Sequence, residues 1–368
     1  MCSEIWIQRY WKCAGRYTTL SGNDWRKVSM NYLNLSHLLV PESRVALQTR
    51  FRILQAIATY QPIGRRALAK VVQMSERTLR NECEDMKALD LIEVQGSGMR
   101  LTEVGEFILE RSDDLKNNFI QMSLVEHKVA KTLGVQYVKV VDDPAKTSEL
   151  VQEIMDVLLP LGTSIIAITG GQTMVRVSEG FTKDISVNRD LTIVPARGGI
   201  FGSMVIQANN VSEKMATGIG AHHEALFVPE HVQQATYAPL MQEPSVAKTI
   251  GLMKKAECLL YSVGSAIIMG ERRGLTQEQM ATLKKKKAIG EAFGCFFDAE
   301  GNVVLKIQRV GLHLSDLSTI PHSIAVVEGA EKAPALKAYA KLAPVDRTWF
   351  VIDKETSELV LNGETRKK

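Results

Sequence analysis

The chain has 368 residues, 45% hydrophobic and 23% charged, with 26 Gly and 11 Pro. That balance excludes a wholly disordered, collagenous or coiled-coil protein and leaves room for two or three domains. The formal net charge of +4 is unevenly placed: in residues 44–101 ten basic side chains stand against six acidic ones, residues 1–43 carry +2, and the remainder sums to −2. A basic front on a slightly acidic body suits a nucleic-acid-binding module joined to something else. No apolar run approaches the roughly 18 residues of a membrane span, and no apolar stretch near the start leads to a small-residue cleavage site. Cys2, Cys13, Cys83, Cys258 and Cys295 are scattered without CxxC spacing. An odd, dispersed set predicts a reducing, cytoplasmic setting with neither a disulfide framework nor a zinc site.

Residues 1–43 read as an N-terminal extension. Trp6, Trp11 and Trp25 fall in it without helical or alternating period, and Met30 opens a stretch that looks like an ordinary protein beginning. Residues 1–29 are therefore expected to be a translated upstream segment or an irregular arm.

From Val45 the periodicity is helical, with Phe51, Leu54, Ile57 and Ala58 on one stripe. Pro62 in Gln61-Pro62-Ile63-Gly64 stops that helix. Residues 65–72 predict a short second helix with Leu68, Ala69 and Val72 inward, and Ser75 is a good N-cap for a third helix running to about Leu89. There Leu79, Cys83 and Met86 face the core, while Arg77, Thr78, Arg80 and Asn81 lie near the first turns on the other side. Residues 91–94 and 99–102 alternate around Gly96 and Gly98, a hairpin, and another helix follows from Thr102. Helix-helix-helix-hairpin-helix over 44–112 is a winged helix-turn-helix. Arg and Asn at the start of its third helix suit base edges in the major groove, Arg65, Arg66 and Arg100 suit phosphates, and Ser75 and Thr78 at that helix start are counted with them as DNA-contact candidates.

Residues 113–134 are polar and helical in period, a linker. From Val135 to the end, apolar runs at 135–141, 164–169, 191–196, 225–228, 259–263, 324–327 and 349–352 alternate with helical stretches. That predicts a mostly parallel, Rossmann-like α/β domain with its ligand at the carboxyl ends of the strands. Residues 296–304 read as an inserted hairpin turning at Glu300-Gly301-Asn302. Three strand-end turns carry chemistry: Gly170-Gly171-Gln172-Thr173 before a helix, Arg197 beside Gly198-Gly199, and Arg272-Arg273 between glycines. Glycines admit an anion to free helix-start amides, and guanidiniums grip phosphate or carboxylate. Together they predict a small ligand with more than one anionic group, although a Gly-Gly turn is also plain geometry and paired arginines are also a solvated surface. His222-His223 has no apparent third ligand, so no metal site is expected.

The ordered motifs GRRALAKVVQMSERTLRNE, ITGGQT, VPARGG, FVPE, EPSV, GERRG, GEAFGCFFDAEGNVV and IAVVEGAEKAPA resemble those of SorC/DeoR-type bacterial repressors of glycolytic operons, from about Met30 to the end. The resemblance implies a homo-oligomeric repressor of lower-glycolysis genes that binds double-stranded operator DNA and is released by fructose 1,6-bisphosphate. It implies a domain similar to phosphosugar isomerases and deaminases, with no reaction and no cofactor of its own. Effector contacts would fall on Gly170, Gly171, Gln172, Thr173, Arg197, Gln207, Arg272, Arg273, Glu291 and Lys332. Gln172 stands where the family turn carries Thr, which keeps the backbone contacts but not that hydroxyl. Two alternatives stay open: a repressor of the same build answering another phosphorylated sugar, and a phosphosugar isomerase or deaminase with Glu291 as base near Lys332.

Overall fold

The computed structural model of the chain describes residues 41–110, 122–200 and 202–362. The expected extension up to residue 40, and the expected linker up to residue 121, lie outside the described residues.

Helix α1, Pro41–Tyr60, opens on a proline, whose missing N–H removes only a donor that a first turn cannot use. Phe51, Ile53, Leu54, Ala56 and Ile57 are its buried side chains. Ala58, expected inward, is exposed: it sits at the edge of the stripe beside Phe51, whose longer side chain reaches the core. Helix α2, Arg65–Val71, buries Leu68 and Ala69. Helix α3, Glu76–Ala88, is capped by Ser75, whose hydroxyl accepts from the Thr78 amide at 3.1 Å, and it buries Leu79, Cys83 and Met86. Arg50 donates at 2.8 Å to both Glu82 and Asp85, clamping the rear of α3 to α1. The wing is the antiparallel pair β1, Ile92–Gln95, and β2, Gly98–Leu101. Ile63 pairs with Met99 as a third short rung. Helix α4, Glu103–Glu110, completes the unit.

Helix α5, Leu124–Leu133, begins in a capping box of Ser123 and Glu126 and ends at Gly134 in the left-handed region. Buried Glu126 also accepts from the amide of Val140 at 2.8 Å and from Lys139 at 3.1 Å, tying α5 to β3, Tyr137–Val141. The chain then continues through α6 (Thr147–Leu158), β4 (Gly162–Ile168), α7 (Gln172–Glu179), β5 (Arg189–Pro195), α8 (Ala208–Ile219), β6 (His222–His223), α9 (Gln234–Gln242), α10 (Pro244–Lys254) and β7 (Cys258–Tyr261). It goes on through β8 (Gly264–Ser265), α11 (Ala266–Arg272), α12 (Gln277–Lys285), β9 (Gly290–Ala292), β10 (Cys295–Phe297), β11 (Val303–Lys306), β12 (His322–Val327), α13 (Ala333–Tyr339), β13 (Thr348–Asp353) and α14 (Lys354–Asn362).

Seven strands form one parallel sheet in the order β3-β13-β12-β7-β4-β5-β6. Alternate residues of each strand point to opposite faces, so the central runs serve two cores. Ile166, Ile168, Ile324 and Val326 join one core with α6, α7 and α8. Ala167, Ala325 and Val327 join the other with α5, α10 and α13. Strands apolar on both faces are what two helical layers require. A second sheet, β11-β10-β9-β8, is antiparallel throughout and packs α11 and α12 over Ala266, Leu283 and Phe296. The expected hairpin at 296–304 is its outer half.

Residues 225–228 are not a strand. Asn209 of α8 bonds both backbone groups of Leu226, accepting from its amide at 2.9 Å and donating to its carbonyl at 2.8 Å, so a side chain supplies what a neighbouring strand would. The edge strand is instead His222–His223, paired with Thr192 and Ile193.

Candidate functional site

The described residues hold two candidate functional surfaces. On the winged helix, Arg65, Arg66, Ser75, Arg77, Thr78, Arg80, Asn81 and Arg100 are all exposed. Arg77, Arg80 and Asn81 share the outer face of α3, opposite Leu79 and Cys83, because residues three and four apart align on a helix. Ser75 serves first as a cap, its hydroxyl 2.8 Å from that of Thr78. Arg80 bonds Glu84 at 3.0 Å and Arg66 lies 3.8 Å from Glu76; both pairs are solvated and weak, so phosphates can displace the carboxylates. Arg100 lies on the wing opposite Glu93.

The second surface lies at the carboxyl ends of the parallel strands, where the chain runs outward from β4 to β5 and β6 and returns to β7 on the other side of β4. Such a reversal leaves a crevice between neighbouring strand ends. A cavity of about 250 Å³ opens there, lined by turns after β4, β5, β7 and β12 and by the antiparallel insert. Gly170, Gly171, Gln172, Thr173, Arg197, Arg272, Arg273, Glu291 and Lys332, from five segments distant in sequence, all line it.

The β4–α7 turn must be glycine. A Cβ on Gly170 would fall 2.2 Å from the Ile206 carbonyl oxygen and 2.6 Å from Nη2 of Arg197. Gly171 has φ +114 and caps α7 with no side-chain bond. The amides of the first turn of α7 have no helical acceptors, which makes this end anion-seeking. Lys332 adds a cation there, its Nζ 3.5 Å from the Thr173 hydroxyl. Burial lowers the Lys332 pKa, and Glu331 and Glu328 only partly restore it.

A buried charge cluster forms part of the cavity wall, with Glu230 behind it. Arg197, Arg273 and Arg309 are 4%, 9% and 1% exposed, and Glu230 and Glu291 are 2% and 3% exposed. Arg273 spends one terminal nitrogen on Glu230 and the other on Glu291 at 2.9 Å. Glu291 also accepts from the Gly294 amide at 2.7 Å. Arg197 donates to the Gly198 carbonyl at 3.0 Å. Burial alone would raise the Glu230 pKa, but Arg309, Arg273 and Arg197 outweigh it and hold the carboxyl at about 2. Burial pushes Arg197 down to about 10, with Glu230 opposing and Arg273 and Arg309 assisting. Three cations against two anions leave one positive charge in excess, an arrangement that attracts an anion. Among the described residues no group of acidic, His or Cys side chains could hold a metal ion.

Gln207 does not line the cavity. Its side chain accepts from the Ile200 amide at 3.0 Å and donates to the Ile200 carbonyl at 2.8 Å, so it shapes the 200–207 segment, whose Ile200 and Ile206 are wall residues. Sequence reasoning missed Ser262, Phe293 and Arg309 in the wall and Glu230 behind it. Phe293 and Gly294, with φ +53 and +76, make the tight turn between β9 and β10, which sets the Phe293 ring 4.9 Å from that of Tyr261. The pair Phe-Gly in GEAFGCFF was its one visible signal.

Residues 117–362 match the Sugar-bind family of sugar-binding domains, and residues 46–115 match the CggR N-terminal DNA binding domain. The chain is 34% identical over 333 residues to the central glycolytic genes regulator of Bacillus subtilis (strain 168), covering 89% of this chain and 97% of that protein. It is also 34% identical over 319 residues to the central glycolytic genes regulator of Priestia megaterium (strain DSM 319 / IMG 1521), covering 84% and 93%. The crystal structure of a SorC family transcriptional regulator from Enterococcus faecalis superposes with a TM-score of 0.61 at 37% identity, over 65% of this chain and 100% of that one.

Proposed function

Because the chain belongs to the SorC-type family of central glycolytic genes regulators, with a DNA-binding domain ahead of a sugar-binding domain, we propose that it is a cytoplasmic, homo-oligomeric repressor of a lower-glycolysis operon whose hold on operator DNA is released by fructose 1,6-bisphosphate. It is a regulator and not an enzyme. The observation that supports this effector is the pairing, in one cavity, of a helix N-terminus flanked by Lys332 with a second cationic pole at Arg197, Arg272 and the buried cluster. A ligand phosphorylated at both ends meets both poles; a monophosphate meets one.

Release follows from linkage. One phosphate accepts from the α7 amides and Lys332, the other from guanidiniums, and the ligand thereby draws the turns after β4, β5 and β12 together. Glu291, tied to Arg273 and to the Gly294 amide, is held for hydrogen bonds to sugar hydroxyls rather than freed as a base. If the closed form aligns the winged helices of an oligomer poorly, the effector weakens operator binding by its differential affinity for the two forms.

The test is retention of the upstream region of its own operon by purified protein, with and without fructose 1,6-bisphosphate. Retention that falls with this sugar supports the proposal. Retention that ignores it but falls with another sugar phosphate replaces the effector, and product formation from any phosphosugar overturns the reading.

A further inference from the structure

We propose that the entry ends of β4 and β5 form a docking platform for the chain's own winged helix, and that this internal interface carries the effector's signal to α3; the proposal rests on the effector reading above. Helix α2 ends at Val71, and the carbonyls of a last helical turn have no partner within the helix. Asn188, in the loop that leads into β5, donates through Nδ2 to the Val71 carbonyl. The turn between α2 and α3 begins there, so an amide of the sugar-binding domain holds the turn that aims α3. Leu161, just ahead of β4, packs against the winged-helix core of Ile53, Leu68, Leu79 and their neighbours. A Cβ on Gly162 would lie 3.4 Å from Cγ2 of Thr59 on α1, so the two domains meet at van der Waals distance. Beside this seam runs a crevice of about 670 Å³, lined by Arg52 and Gln73 on one side and by Glu149, Glu153 and Asp156 of α6 on the other. A guanidinium of one domain thus shares the crevice with three carboxylates of the other.

The platform is tied into one piece. Arg189 donates to the carbonyls of Pro160 and Ile185, each at 3.0 Å, and to the Asp156 carboxylate at 2.7 Å. The Gly162 amide donates to the Asn188 carbonyl at 3.0 Å, joining the loops ahead of β4 and β5. From there the two strands stay paired along their whole length, from Gly162 with Arg189 to Ile168 with Pro195. Their far ends deliver Gly170, Gly171 and Arg197 to the cavity. Seven residues of strand span about 20 Å, and a close-packed interior transmits displacement rather than absorbing it. Drawing the far turns together on a ligand therefore shifts the near ends under the winged helix, through the kind of packed, hydrogen-bonded network that carries coupling between distant sites. Arg77, Arg80 and Asn81 stay exposed, so docking sets the direction of the recognition face without covering it.

The experiment is titration of the full chain onto a labelled fragment from upstream of its own operon, with and without saturating fructose 1,6-bisphosphate, beside calorimetric titration with the same sugar. Asn188 has φ +58, so Asn188→Gly keeps the backbone and removes only the amide donor. Combined with Leu161→Ala it severs the seam and touches no residue of the cavity wall. The double variant is expected to keep a sugar Kd within about twofold of wild type. The factor by which the sugar raises the operator Kd should fall from roughly fivefold or more, as allosteric pairs show, to about twofold or less. Should that variant fail to fold, Asn188→Asp alone also tolerates the left-handed backbone but sets an acceptor against the Val71 carbonyl; the same loss of coupling is expected. A factor equal to wild type in a folded variant overturns the role of the seam while leaving the effector reading intact. A sugar Kd that weakens in step with the factor overturns it too, because the substitutions then act on the cavity. Wild-type protein whose operator Kd ignores the sugar overturns both.

Discussion

Gly170→Ala tests the closeness of backbone and guanidinium on which the anion site depends. The added Cβ would meet the Ile206 carbonyl oxygen at 2.2 Å, Arg197 Nη2 at 2.6 Å and the Ala208 amide nitrogen at 2.9 Å. Two of these are backbone atoms, so no rotamer relieves the clash. The same Ile206 carbonyl accepts from the Gly171 amide at 3.0 Å, and moving it away breaks that bond too. Overpacking of this kind costs about 1–3 kcal/mol, a fall in Tm on the order of 5 °C for a domain of this size. Displacing the α7 amides and Arg197 from each other should weaken fructose 1,6-bisphosphate at least tenfold, about 1.4 kcal/mol, with operator affinity retained. Gly171→Ala is the control: its Cβ meets nothing within 4 Å at φ +114, so it carries backbone strain of about 1–3 kcal/mol without a clash. Calorimetric sugar titration and thermal unfolding of both variants read the result. Gly170→Ala protein with wild-type Tm and sugar affinity would refute the reasoning.

Arg272→Ala should abolish the response of operator binding to fructose 1,6-bisphosphate while operator Kd stays within twofold; lost DNA affinity would place this residue elsewhere. Arg77→Ala should weaken the operator complex by roughly 1–3 kcal/mol if it meets a base edge, or lower the salt slope by about one if it meets a phosphate, with sugar affinity unchanged; fluorescence anisotropy across a salt series distinguishes these. Glu230 gives a pH dependence: its native pKa of about 2 lies below the ordinary 4.5, so its stabilisation is complete above about pH 4.5 and is lost as pH falls toward 2. A shift of this size corresponds to roughly 3 kcal/mol. Denaturation from pH 6 to pH 3 should therefore show a shallower acid loss in Glu230→Gln than in wild type, and equal slopes would contradict it.

The parts legible in the sequence are those decided locally. Ser75 announces α3 because a cap acts within one turn, and runs such as His322–Val327 announce buried strands because both faces are covered. Residues 225–228 misled because Asn209, 17 positions away, bonds Leu226 in place of a strand. Strand β8 has two residues and β9 three, too few to show alternation, so the antiparallel insert was hidden apart from its last hairpin. The glycine turn, Arg197 and the Arg272-Arg273 pair were visible by residue type beside glycines. Glu230 and Arg309 were not, since each is a lone charge whose meaning comes from partners such as Arg273, 43 residues from Glu230. Adjacent Arg272 and Arg273 looked alike in sequence; only packing makes one exposed and the other a buried strut.

Any coupling between the two surfaces is reciprocal. The most direct measurement is the fructose 1,6-bisphosphate Kd of free protein against that of protein saturated with its operator. A weaker sugar Kd on DNA, by the same factor by which the sugar raises the operator Kd, is the expected result. Identical sugar affinity in the two states would contradict control of the promoter by a ligand in this cavity.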